Sequence, residues 1–427
     1  MEVATFMDAL GGTAERSDFP SFMDDEAVEA CLNAFLHVRA QLSDYDRLVG
    51  VSTEIELVRS PFFTCRTKEV GPHHYAIAIP LGLVCRVYVL AHLLCGYLHV
   101  KAPLLTCAGM DATWEDRWRL PAELESLFGA ARADDNWWRD IAALYARVRG
   151  TDDADYDAKS LTSLAVMFIA GHEGAHVHRR HGAAFRHFKR AGVISDPLEE
   201  QVFKRFAETD ADIMATYWVI DAQRIGVKAG LERGLDVSMP VGHFRLSYAV
   251  TMLYALYDAH RKRMGAYEGG IYSHPIVRRD MFTVASTKMA EAYPAEMRDW
   301  LSMEKAGFVH CVRSLNVLNF AALGGFFGKV ATGYNAVPVS SLHYEPAMLD
   351  DWDKRCRRET VFYSLLANLY ETSGEFRRGT TPEEVRFAYP DRETIETFLA
   401  SGDSMWQAAW DMTTRVLGSR PETDLVQ

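Results

Sequence analysis

Apolar residues recur at helical spacing from Val28 to Val38, behind an acidic start at Asp24-Asp25-Glu26, so residues 1–50 are expected to be helical. The period then shortens to two. Thr53–Val58 (TEIELV) alternates, and His74–Ile79 (HYAIAI) alternates again before Pro80-Leu81-Gly82, which predicts two strands. A Trp-rich helical stretch is expected over residues 121–149. The acidic run at 152–157 (DDADYD) interrupts the pattern and reads as a solvated linker before a helix. From Ser160 onward the chain reads as helices near 160–181, 197–225, 241–264, 276–292 and 295–320, separated by Gly, Pro and Asp. The expected fold class is α+β and mostly helical.

One apolar stretch, Leu81–Val100, is about long enough to cross a bilayer, but it carries Arg86, His92 and His99. Charge near a bilayer centre is costly, so a buried amphipathic helix with Pro80 in its first turn is expected, and no stable membrane insertion. The composition is that of a globular protein, with 48% apolar and 24% charged residues in 427, which excludes wholesale disorder and collagen-like repeats. A chain of this length buries a core without disulfides. The 58 acidic residues against 46 basic ones argue against a nucleic-acid partner. Seven cysteines, an odd number with no CxxC pair, point to a reducing compartment. The N-terminal segment has neither a positive start nor an apolar run, so no signal peptide is read and a cytoplasmic location is expected.

The chemistry concentrates in Leu161–Gly182 (LTSLAVMFIAGHEGAHVHRRHG). On a helix, His172 and His176 are four residues apart, so both imidazoles can reach one metal ion. Glu173 lies about 100° around from His172, beside the metal but aimed past it, a position suited to polarising water. Gly174 and Ala175 leave space between the two histidines. HExxH alone is a moderate signal, because a polar-core His pair gives the same spacing. His178 and His181 project roughly 240° and 180° from His172 and read as surface residues or as supports for the ligands. Position 182 is Gly, so the third His of HExxHxxGxxH is missing.

The better third ligand is Glu208, on a helix entered at Asp196-Pro197, a cap and first-turn pair. Asp212 shares its face and can accept a hydrogen bond from the ring N–H of a ligand His, fixing the tautomer. The other reading of the pair is a solvated acidic face. The basic group Arg179, Arg180, Arg186, Lys189 and Arg190 reads as cations gathered at a helix C-terminus; an acidic-substrate subsite is the sharper reading. The Gly324–Val330 stretch lacks the first Gly and the Ser/Thr of a P-loop and is rejected as one.

His172-Glu173-Gly174-Ala175-His176 followed by Glu208-Thr209-Asp210-Ala211-Asp212 resembles the gluzincin zinc metallopeptidases. Within that group the chain is similar to the soluble Lit-like phage-exclusion peptidases and, more distantly, to the CAAX-prenyl-protease/HtpX-like peptidases. His274-Pro275 resembles their His-Pro…Arg element, with Arg278 and Arg279 as the nearest arginines. The HtpX-like families carry several transmembrane helices that this chain lacks, so the soluble relatives fit better.

The resemblance implies a zincin-like unit over residues 51–295, between a helical segment 1–50 and a helical region 296–427 open to a regulatory partner. It implies Zn²⁺ on His172, His176 and Glu208, Glu173 as the base, and a protein or peptide substrate. His274 or Tyr272 would stabilise the oxyanion, or neither. The alternative is a metal-binding regulatory protein whose site is structural and which performs no proteolysis.

Overall fold

The structure, a computed structural model, describes residues 2–100, 137–148, 152–234, 239–263, 278–279, 282–283, 285–286, 289–290 and 299–317. The chain begins with a short helix α1 (Val3–Asp8) and a long α2 (Asp25–Val49). Asp24 caps α2 by accepting from the Ala27 amide at 2.8 Å, and Gly50 ends it in the left-handed region at φ 68°. Three strands follow, β1 (Ser52–Val58), β2 (Arg66–Gly71) and β3 (His74–Pro80), and form one sheet in the order β1-β3-β2. β1 runs parallel to β3, pairing Ile55 with Ile77, while β2 runs antiparallel to β3, pairing Thr67 with Ile77. The alternating stretches at 53–58 and 74–79 are therefore strands. β2 escaped the sequence reading because Arg66-Thr67-Lys68-Glu69 is exposed and polar on both faces, with no apolar alternation to detect.

Seven helices follow among the described residues: α3 (Leu81–Val100), α4 (Trp137–Val148), α5 (Asp152–His178), α6 (His181–Arg190), α7 (Pro197–Glu232), α8 (Met239–Arg263) and α9 (Trp300–Val317). The protein is thus mostly helical with a small mixed sheet. The acidic run at 152–157 is the first turns of α5 and not a linker. A run of acidic residues suits a helix N-terminus, and two of them are paired, Asp155 with Lys159 at 2.6 Å and Asp157 with Arg245 at 2.8 Å. The stretch 121–136, the Gly324–Val330 segment and the polar tail from 340 onward lie outside the described residues.

α3 is buried on every face from Leu81 to Cys95, so it is not amphipathic. Arg86 is tolerated there because its guanidinium donates to the carbonyls of Pro61 (2.8 Å) and Gly82 (2.9 Å); burial brings its pKa down to about 10. Among the described residues no helix is long and apolar enough to cross a membrane. Gly82 is required: a Cβ there would lie 2.5 Å from the Pro61 carbonyl. The loop that makes this approach carries Phe63, Thr64 and Cys65, which line the cavity described below.

α5 lies at the centre, packed by α2, α3, α7 and α8. Its small residues permit this. Gly171 faces Ala215 and Trp218 of α7, and Gly174 faces Leu42 of α2 and Trp218. The space at Gly174 thus serves helix packing and not the gap between the histidines. α9 packs on α8, and its Phe308, Cys311 and Leu315 join the same core. A buried pair, Arg279 and Glu304 at 2.5 Å, ties α9 to the 278–283 stretch, and Arg279 also donates to Ser247 and Thr251.

Candidate metal centre

Two adjacent helices bring three donor groups to one point. α5 runs unbroken through the motif, so His172 and His176 project from one face. α7 is fixed at its start by Asp196, whose side chain accepts from the Leu198 (2.7 Å) and Glu199 (3.0 Å) amides, with Pro197 in the first turn. One helical course later it presents Glu208 opposite the histidines. His172 Nε2 lies 3.2 Å from His176 Nε2 and 3.3 Å from Glu208 Oε2, and His176 Nε2 lies 3.5 Å from Glu208 Oε1.

These separations test the donor set against zinc. A tetrahedron with corners about 2.05 Å from its centre, the span of zinc–nitrogen and zinc–oxygen bonds, has edges of about 3.3 Å. The two imidazole nitrogens lie 3.2 Å apart, and each approaches one oxygen of the Glu208 carboxylate, Oε2 at 3.3 Å and Oε1 at 3.5 Å, all close to that value. Two imidazole nitrogens and one carboxylate are also a donor set that zinc prefers. The residues fit the ion.

A second acidic group, Asp24, Glu26 and Asp155, already surrounds the Lys159 ammonium at 2.9, 2.7 and 2.6 Å and is a salt-bridge cluster.

Glu173 does not join the triad. Its carboxylate accepts from the Thr67 hydroxyl of β2 at 2.5 Å and lines the same cavity as the three donors. The cavity is about 310 Å³, walled by Phe63, Phe168, Ile169, Leu253, Tyr254 and Tyr257. Burial raises the Glu173 pKa above its ordinary value, against the lowering pull of His172 and Thr67.

Asp212, fully buried, lies 2.8 Å from His172 Nδ1 and is gripped by Arg278 through Nε (2.6 Å) and Nη2 (2.8 Å). Burial disfavours charge on His172, but Asp212 and Glu208 outweigh it and hold the imidazolium up to about 10. Burial instead pushes His176 down to about 3. Glu208 and Asp212 lie below the usual carboxylate range: burial opposes this, and His172 and Arg278 overcome it.

The structure separates the two arginines the sequence left open. Arg278 lines the cavity and reaches Glu208 Oε2 at 3.5 Å, while Arg279 belongs to the buried pair with Glu304. His178 and His181 are both buried, so neither is a surface residue. His178 Nε2 meets Asp46 Oδ1 at 2.7 Å and ties α5 to α2. His181 Nδ1 lies 2.9 Å from His176 Nδ1, although helical arithmetic sent it to the opposite face; α5 ends at His178, and the arithmetic ends with it.

The basic group also divides. Arg179 and Arg180 are buried, with Arg179 on Asp210, whereas Arg186 and Lys189 make exposed pairs with Glu69 and Glu200. None of these lines the cavity. His274 and Tyr272 lie outside the described residues. Sequence reasoning missed Thr67 and Asp210; the repeated aspartate in Asp210-Ala211-Asp212 was the available signal for the second, and an exposed polar strand offered none for the first.

Compared with family models, with curated proteins and with solved structures, the chain matches none.

Proposed function

We propose that this chain is a zinc-dependent peptide hydrolase of the gluzincin type, acting on a protein or peptide substrate. The observation that carries the reading is the spacing of His172, His176 and Glu208 in the wall of a cavity that Glu173 shares. The small sheet beside α5, with Thr67 of β2 reaching Glu173, supports the zincin-like reading of the motifs. A structural zinc site is closed by four protein ligands; three groups facing a cavity leave a position open and favour catalysis over the regulatory alternative.

Zinc held by His172, His176 and Glu208 would supply a Lewis acid for the scissile carbonyl and acidify water. Glu173 takes the proton from the attacking water, and the water oxygen bonds to the carbonyl carbon. As the C–N bond breaks, Glu173 returns the proton to the departing amine. Its raised pKa makes the carboxylate a stronger base toward water, and a pKa nearer the working pH suits a group that both takes and returns a proton. Thr67 orients the carboxylate, Arg278 holds Glu208 and Asp212 in place, and the aromatic walls exclude bulk water.

Metal content and peptide hydrolysis of wild type, Glu173→Gln and His176→Ala test the proposal. About one zinc per chain is expected in wild type and Glu173→Gln, turnover in wild type alone, and neither in His176→Ala. Turnover by Glu173→Gln would sink the assignment of the base. Zinc without any Glu173-dependent hydrolysis would favour the structural alternative.

A further inference from the structure

Behind the two imidazoles that face the proposed metal stand two aspartate–arginine pairs whose aspartates lie on one helix, α7. Asp212 meets His172 directly and is gripped by Arg278. Two residues earlier on α7, Asp210 is gripped by Arg179, with Nε and Nη2 both at 2.7 Å. Asp210 meets His176 only through a third imidazole. His181 Nε2 lies 2.9 Å from Asp210 Oδ2, and His181 Nδ1 lies 2.9 Å from His176 Nδ1.

We propose that His181 and Asp210 are positioning residues that fix the proton of His176 on Nδ1 and keep its Nε2 lone pair on the metal-binding side. With a neutral His181 the donor and acceptor roles fall in this order. Asp210, doubly held by Arg179, only accepts, so His181 Nε2 donates to it. A neutral imidazole has one N–H, which leaves His181 Nδ1 as an acceptor. The contact between the two Nδ1 atoms needs one hydrogen, and His176 supplies it. The Nε2 of His176 is then a bare lone pair facing His172 and Glu208. Ligand histidines are oriented in this way by the partner of their other nitrogen; here one ligand has a carboxylate in that role and the other an imidazole backed by a carboxylate.

The backbone is bent to build this relay. Arg180 lies in the left-handed region, at φ 51° and ψ 36°, where a residue with a β-carbon is uncommon. It is nevertheless buried, and its guanidinium lies 3.2 Å from His73 Nδ1. A continued helix would carry His181 roughly 180° away from His172. The turn at Arg180 returns it to His176, and such conformations persist where their surroundings over-determine them.

The consequence for metal binding rests on the proposed zinc site; the hydrogen bonds do not. Side-chain ¹H–¹⁵N NMR of the metal-free chain reads the tautomer, and zinc affinity by chelator competition reads its use. His176 is expected to carry its proton on Nδ1. His181→Phe should weaken zinc binding by about 10- to 100-fold, and His181→Gln, which keeps an acceptor and a donor, should recover most of that loss.

A His176 protonated on Nε2 in the wild type overturns the proposal. Unchanged zinc affinity in His181→Phe also overturns it, as does a Gln variant as weak as the Phe variant. Should His181→Phe fail to fold, the wild-type tautomer and the Gln variant still decide. An Nδ1 proton on His176 in a chain that binds no zinc would support the relay and sink the metal reading instead.

Discussion

Gly174 offers a direct test of how the helices around the site are packed. A Cβ at this position would lie 2.2 Å from Leu42 Cδ2 and 3.2 Å from both Leu42 Cδ1 and Trp218 Cζ3. Carbon atoms pack at about 3.5–4.0 Å, so the nearest contact falls short by more than about 1 Å. Leu42 is 1% exposed and has no solvent to swing into, so either its side chain repacks within the filled core or α2 and α5 move apart. Overpacking of this kind costs about 1–3 kcal/mol, and the better helix propensity of alanine returns about 0.8–1.0 kcal/mol. The severity of the contact puts the cost toward its upper end, for a net loss of about 1–2 kcal/mol in Gly174→Ala. Urea unfolding followed by circular dichroism measures it. Leu42→Ala in the same chain makes room for the new methyl, so the double variant should be more stable than the two separate losses add up to, by at least about 0.5 kcal/mol. A Gly174→Ala protein more stable than wild type, or strict additivity with Leu42→Ala, would refute the packing argument.

Glu304→Ala leaves the Arg279 guanidinium buried without its carboxylate, and a loss of about 3–5 kcal/mol is expected in the same unfolding assay; a change under about 1 kcal/mol would show the pair is not structural. Asp212→Ala removes the acceptor at His172 Nδ1, so zinc affinity by chelator competition should fall about 10- to 100-fold. Activity that requires the ionised Glu173 is lost as pH falls through its folded pKa. In the metal-free chain burial holds the Glu173 carboxyl above its ordinary value, so a side-chain carboxyl NMR titration should place its midpoint above that of an exposed glutamate, and a midpoint at or below the exposed one contradicts it.

The sequence exposed those parts of the fold that repeat with a period. β1 and β3 alternate, and α7 and α8 follow helical spacing with Asp196-Pro197 at one start. It concealed β2, whose first four residues are exposed and give no apolar signal. It also misread 152–157, because a run of aspartates serves a solvated linker and a helix N-terminus equally well. The same division holds at the site. His172, His176, Glu208 and Asp212 were legible because i,i+4 spacing on a helix is geometry, and the structure brings the four together. The links from Thr67 to Glu173 and from His181 to His176 depend on how the sheet meets α5 and on one left-handed residue, neither of which leaves a pattern in the sequence.

The charges at the site suit a cation, and they predict what leaves if one binds. Three carboxylates, Glu173, Glu208 and Asp212, lie around one guanidinium, that of Arg278. Without a metal ion a proton on His172, which Asp212 and Glu208 retain up to about 10, offsets one of the two excess negative charges. His176, pushed down to about 3, stays neutral. The raised His172 pKa stabilises the metal-free fold fully below about 6.5, and that contribution is lost as pH rises toward 10. A zinc ion needs the same nitrogen as a lone pair, so it must displace the proton. At pH 6 metal-acidified water, with a pKa of about 7, contributes little, and zinc loading should release about one proton per ion. Calorimetric titrations in buffers of different ionisation enthalpy count that proton. Zinc binding with no proton released at pH 6 would mean that His172 is neutral in the metal-free protein and that the carboxylates do not hold it charged.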